Sequence, residues 1–120
     1  MYEVIFYEDK SGKRHTLEYI QGLLAKGDKD SRIKANKILD YIKYLQEHGP
    51  RAREPYAKNL GDGIWEPRPI SDRILYAAWD GQSFILLHHF AKKTQKAPPK
   101  EIKQVKRNLT DFRERSKDNE

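Results

Sequence analysis

Between residues 73 and 91, two apolar runs, RILYAAW and SFILLHHFA, flank the dipeptide Asp80-Gly81, and nothing else in the chain constrains its fold as strongly. Asp-Gly readily takes the positive-φ conformations of a two-residue hairpin turn. The flanking runs are rich in β-branched and aromatic types and are long enough for two buried strands. Two further strands are predicted: 64–70 (IWEPRPI), joined to the hairpin through Ser71-Asp72, and 2–8 (YEVIFYE) at the N-terminus. A sheet of this kind needs helices to cover it.

Three helices are expected. Leu17, Ile20, Leu23 and Leu24 recur at helical spacing in 16–26, after the turn-like DKSGK at 9–13. Asp30 or Ser31 can cap a second helix over 32–47, which buries Ala35, Ile38, Leu39, Ile42 and Leu45. His48-Gly49-Pro50 closes it by the usual Gly-then-Pro signal, with His48 read as a cap. Residues 51–63 read as loop. Pro98-Pro99 opens the last helix, on which Ile102, Val105, Leu109 and Phe112 form an apolar stripe. The expected fold is one α+β domain over 1–120, ordered β-α-α-β-β-β-α. It has an antiparallel sheet of about four strands, two N-terminal helices on one face, a C-terminal helix, and a tail that frays from about 116.

A turn at 80–81 places Arg73 opposite His88 and Leu75 opposite Leu86. A turn at 71–72 places Arg68 opposite Leu75 and Ile70 opposite Arg73. Side chains alternate along a strand, so Arg68, Arg73, His88 and Lys92 are expected on one face, near one end. Trp65, Ile74, Tyr76, Ala78, Ile85 and Leu87 take the other face, against helices. Pro67 and Pro69 would then turn their missing N–H groups outward, which suits an edge strand. The expected order runs from 64–70 at the edge through 73–79 and 83–91 to 2–8. Trp79 reads as packing at the hairpin end. A three-residue turn after Trp79 would instead bring His89 opposite Arg73, so the choice of histidine stays open.

Composition narrows the chemistry. With no cysteine, disulfides and thiolate metal sites are excluded. The N-terminus lacks the basic and apolar parts of a signal peptide, and FILL at 84–87 is too short to span a bilayer, so a cytoplasmic protein is expected. The net charge is +6, and all of it sits in residues 91–107, which hold seven bases against the single acid Glu101. Such a concentration attracts phosphate backbones, anionic lipid or an acidic protein. Adjacent His88 and His89 point to opposite faces of a strand, so no metal site is expected there. Arginine can stabilise the charge of a phosphorane, and histidine can move protons. RNA carries its own nucleophile in the 2′-OH, so this set of residues suits RNA cleavage without a metal or other cofactor.

Three blocks, GIWEPRP at 63–69, DRILYAAW at 72–79 and FILLHHFAKKTQKAPP at 84–99, resemble the RelE/ParE superfamily of type II toxins, specifically its phage-derived HigB branch. The upstream SRIKANKILDYIKYLQEHGPRAREPYAKNL is also similar, so the likeness covers nearly the whole chain. The resemblance implies a RelE-like fold and a ribosome-dependent mRNA endonuclease that cleaves in the A site by 2′-OH attack. It also implies a HigA-like helix-turn-helix antitoxin as partner, contact with operator DNA only through that antitoxin, and no membrane. Carried over by position, Arg73, Arg68, Lys93 and His88 are the expected catalytic residues. Lys92, Lys96, His89, Lys100, Lys103, Lys106 and Arg107 are expected to bind RNA. Two positions depart from the family pattern: Pro67 stands where leucine is expected, and His89 where glycine is frequent. Relatives of the ParE type share the fold but inhibit DNA gyrase, and a plain RNA-binding module is a further alternative.

Overall fold

A computed structural model describes residues 1–49, 57–61, 63–67, 72–91 and 98–118, with backbone alone for 57–59, 61, 65–67, 72, 73, 91 and 118. In chain order the elements are β1 (Glu3–Phe6), α1 (His15–Lys26), α2 (Lys29–His48), β2 (Ala57–Gly61), β3 (Ile64–Pro67), β4 (Asp72–Ala78), β5 (Ser83–Ala91) and α3 (Pro99–Asp118). The fold is α+β. The strands form one five-stranded sheet in the order β1-β5-β4-β3-β2. It is mixed rather than antiparallel, because β1 runs parallel to β5 after the α1–α2 crossover.

Local chemistry accounts for the helix ends. Gly27 closes α1 in the left-handed region at φ 75°, and the next residue, Asp28, caps α2 by accepting from the Ser31 N–H at 3.0 Å. The cap is therefore Asp28, not Asp30 or Ser31, and α2 begins three residues earlier than the periodicity implied. At the far end of α2, the Gly49 N–H bonds the Leu45 carbonyl at 2.7 Å. Gly49 has φ 94°, and a Cβ there would lie 3.1 Å from the Tyr2 ring. Only glycine suits that position, and its closeness to Tyr2 helps tie β1 to α2.

The second strand is a correction to the sequence reading, which treated 51–63 as loop. AKNLG at 57–61 has no apolar alternation to announce a strand. It forms one by pairing antiparallel with β3, through a tight turn in which Gly63 has φ 78°. Consequently β3 is not an edge strand. Pro67 forms the outermost described pair of that ladder, opposite Ala57. The β3–β4 register also differs from expectation: Ile64 faces Ala77 and Trp65 faces Tyr76, two residues from the pairing that a turn at 71–72 implied. Pro69 lies outside the described residues.

The central hairpin differs in the same way. Trp79 N–H bonds the Ser83 carbonyl at 2.9 Å, and the Asp80 carboxylate accepts from Gln82 N–H at 2.8 Å, so the turn holds three residues rather than two. Ala78, Ala77 and Tyr76 face Phe84, Ile85 and Leu86; a bulge then shifts the register, and Leu75, Ile74 and Arg73 face His88, His89 and Phe90. The expected pairs Arg73–His88 and Leu75–Leu86 are therefore replaced by Arg73–Phe90 and Leu75–His88. A bulge leaves one residue unopposed and turns the following side chains to the other face.

Helices cover both faces of the sheet. Ile74, Tyr76, Phe84 and Leu86 pack with Ile20, Leu23, Ile38 and Leu45 of α1 and α2. Leu75, Ala77, Ile85 and Leu87 pack with Val105 and Leu109 of α3, with Ile102 and Phe112 at the margin. Ile85 and Leu87 thus lie on the face opposite Ile74 and Tyr76, which the simple alternation had merged with them. Trp79 packs edge-on against Phe112 at 4.8 Å. Two predicted core leucines are outside: Leu24 is 49% exposed and Leu39 39%, while Tyr41 takes a buried place on α2. His48 is exposed, with its ring 4.5 Å from that of Tyr44.

Candidate functional site

A mismatch in strand length creates the site. β1 has four residues and β5 has nine. Their pairing runs from Glu3–Ser83 to Phe6–Leu86, and one more bond follows, from Tyr7 N–H to the Leu86 carbonyl at 3.0 Å. Beyond that point β5 continues without β1 beside it. Backbone groups of such an edge must find other partners. The Leu87 carbonyl finds one in the buried amide of Asn108 on α3, at 2.8 Å.

The bulge decides what this edge presents. Leu87 and His88 both turn to the α3 face, because Leu87 packs with that cluster and His88 pairs with Leu75, a member of it. His88 Nε2 lies 2.5 Å from Glu101 Oε2 in the first turn of α3, and both side chains are about four-fifths buried. His89 turns to the α1 face. Its ring stacks on Tyr19 at 4.5 Å with planes 12° apart, and its Nδ1 is 3.4 Å from Thr16 Oγ1. The two histidines do point to opposite faces, yet both reach one cavity because it lies at the strand's edge.

That cavity has a volume of about 450 Å³ and is lined by Asp9, His15, Thr16, His88, His89 and Asn108, among others. A broader one of about 690 Å³ adjoins it along α3 and brings in Lys10, Lys106 and Arg107. The floor between them is held by a polar cluster. Tyr7 hydroxyl donates to Asp111 at 2.6 Å, Arg115 donates to the same carboxylate oxygen at 2.6 Å, and Arg115 also bonds the Glu8 carbonyl. Burial, helped by the bond to Asp111, pushes the Tyr7 phenol up to about 12. The Tyr7 bond and the Arg115 charge hold Asp111 below the ordinary carboxylate range. A phenol so reluctant to ionise fastens the end of β1 to α3 and is a poor proton shuttle at neutral pH.

At the mouth, Asp9 organises the turn that follows β1. Its Oδ1 accepts from Ser11 Oγ at 2.6 Å, Ser11 N–H at 2.9 Å and Lys13 N–H at 2.9 Å, and its Oδ2 meets His15 Nε2 at 2.7 Å. The Ser11 side-chain bond, then those of Lys13 and His15, hold the Asp9 carboxyl well below its usual range. DKSGK was legible as a turn, but nothing local linked Asp9 to His15 or either to the β5 histidines. Glu101 and Asn108 were missed likewise. They follow His88 by 13 and 20 residues respectively, and only the docking of α3 brings them to β5.

The residues expected from sequence divide into four groups. His88 and His89 line the cavity. Arg73 stands in β4 opposite Phe90, two positions from the residue that faces His88. Lys100, Lys103, Lys106 and Arg107 are exposed along α3, and Arg107 also bonds Gln104 at 2.7 Å. Arg68, Lys92, Lys93 and Lys96 lie outside the described residues. No helix among the described residues is long and apolar enough to cross a membrane.

Fold and site together define a small α+β domain whose longest strand ends in histidines, beside an arginine-bearing strand and a basic helix. Residues 24–110 match the family described as phage derived protein Gp49-like (DUF891), and the chain belongs to it. This family is associated with RelE-like toxins. No curated protein matches the chain. Arg73, His88, His89 and Glu101 fall inside the matched span, whereas Asp9 and His15 precede it.

Proposed function

We propose that this protein is the toxin of a type II toxin–antitoxin system, an endoribonuclease of the HigB kind that cuts messenger RNA on the ribosome. The observation that carries the reading is the end of β5. Two histidines border one cavity there, Arg73 occupies the adjoining strand, and exposed bases continue along α3. The chemistry these residues suit is 2′-OH attack on the neighbouring phosphate. Arginine stabilises the extra charge of the phosphorane, and imidazole moves the protons. A basic helix beside the cavity suits an RNA-rich target such as the ribosome. Membership of a family associated with RelE-like toxins points the same way.

In this reading the protein works in the cytoplasm and is neutralised by a helix-turn-helix antitoxin, which alone contacts operator DNA. An acidic or amphipathic segment of the antitoxin would cover the basic face, so added salt should speed dissociation of the complex.

The test is expression in bacteria with and without the antitoxin, together with mapping of message ends. Wild type should arrest growth and produce new 5′ ends within translated codons, and Arg73→Ala should lose both effects. Growth arrest with intact messages and a DNA-damage response would instead identify a gyrase inhibitor. RNA binding with neither arrest nor cleavage would identify a plain RNA-binding module.

A further inference from the structure

Two imidazoles, each held by a carboxylate, line the same cavity at the β5 edge. In one, Glu101 on α3 holds Nε2 of His88 at 2.5 Å. In the other, Asp9 in the β1–α1 turn holds Nε2 of His15 at 2.7 Å. A carboxylate at Nε2 places the proton there in the neutral ring and leaves Nδ1 as the acceptor. Among the described residues, no hydrogen bond engages Nδ1 of either ring. Each carboxylate is itself positioned. Asp9 is fixed by three donors on its other oxygen, and Glu101 sits in the first turn of α3, where a negative charge is favoured. The Asp9–His15 pair could simply have fastened the start of α1, but its ring lines the cavity that His88 lines. Phosphodiester transesterification needs two such groups, one to remove a proton and one to supply it.

We propose that His15 and His88 are the proton-transfer pair of RNA cleavage, with Asp9 and Glu101 as their positioning carboxylates; this rests on the nuclease reading above. One ring, neutral, takes the 2′-OH proton onto Nδ1 as O2′ bonds to phosphorus and the P–O5′ bond breaks. The other ring, protonated at both nitrogens, gives its Nδ1 proton to the departing O5′. The products are a 2′,3′-cyclic phosphate and a 5′-hydroxyl, and the two rings exchange protonation states. No metal, oxidant or further reactant enters the balance.

The experiment uses the full chain with ribosomes carrying a message whose scissile linkage has either the natural 5′ oxygen or a bridging 5′ sulfur. A thiolate leaves without protonation, so sulfur rescues the loss of a general acid but not of a general base. His15→Gln and His88→Gln should each slow cleavage of the natural linkage by ~10²–10⁴-fold. On the sulfur linkage, one of the two variants should return to within about tenfold of wild type and the other should not. Asp9→Asn and Glu101→Gln should be slowed less, each following its own histidine in whether sulfur rescues it. These amide variants keep the test open if a histidine variant does not fold.

A His15→Gln chain that cuts the natural linkage at the wild-type rate overturns the proposal, as does slow cleavage with neither variant rescued. Those outcomes leave the nuclease reading standing, because wild type still cuts. A wild type that leaves the message whole overturns that reading itself, and the proton-transfer role with it.

Discussion

The two halves of β5 share a strand but not a purpose. From Ser83 to Leu86 it lies between β1 and β4 with a helix layer on either face, and Phe84, Ile85 and Leu86 are at most 1% exposed. From Leu87 onward β1 is gone, a bulge has reset the alternation, and His88 and His89 replace apolar side chains. The first half supplies core, and the second borders a cavity with two histidines. Anchoring one end of a strand in a dense core while leaving the other end at an edge holds the two imidazoles on a rigid support at the border of a cavity.

The largest effect should come from the covered half. Phe84→Ala removes a fully buried ring that packs on Tyr76, and should cost ~3–5 kcal/mol in chemical denaturation. That is a large share of the ~5–15 kcal/mol by which such domains are stable. A small loss would mean that the two helix layers, rather than this strand, hold the domain together.

Next comes the boundary. Asn108→Ala leaves the Leu87 carbonyl without its buried partner and should cost ~1–3 kcal/mol. Amide exchange should quicken around Leu87 and His88 before it does so at Ile85. If the loss of protection spreads evenly along β5, the division into two halves fails.

The smallest effect belongs to the cavity mouth. Asp9 has its carboxyl depressed by bonds present only in the folded turn, so its contribution to stability is fully present above the unfolded carboxylate range, near pH ~4, and fades as pH falls through its lowered folded value. Asp9→Asn should therefore be less stable than wild type at neutral pH, and the two should converge in strong acid. The measurement is denaturation of both chains across that window. A difference that persists unchanged in acid would show that packing, not the ionised carboxylate, holds the turn.

How far the sequence could be read differs by scale. The helices, β1 and the strands flanking Asp80-Gly81 were legible because the period of apolar residues reports directly on a buried face. The stripe Ile102, Val105, Leu109, Phe112 does pack on the sheet. β2 was not legible, because AKNLG has no pattern of its own and becomes a strand only through its neighbour. Its best clue was Asp62-Gly63, a second Asp-Gly, with Gly63 at φ 78°. By contrast, the Asp80-Gly81 pair became part of a three-residue turn. The Asp80-Gly81 dipeptide alone did not fix the loop length, which lies with the packing of the strands.

The site was half legible. That His88 and His89 would end a strand, with a basic stretch after them, followed from residues 83–107 alone. Which arginine, acid or hydroxyl each histidine meets did not. Sequence determined the elements other than β2, the location of the positive charge and the residue types at the end of β5. Tertiary structure decided that β1 stops short of the histidines, that a bulge at Leu75–Tyr76 moves His88 opposite Leu75, and that Glu101 bonds His88 while Asp9 and His15 line its cavity. The physical reason is one of range. Helical and strand periodicity arise from side chains a few positions apart, whereas a bulge and a cavity balance two packed layers contributed by distant parts of the chain.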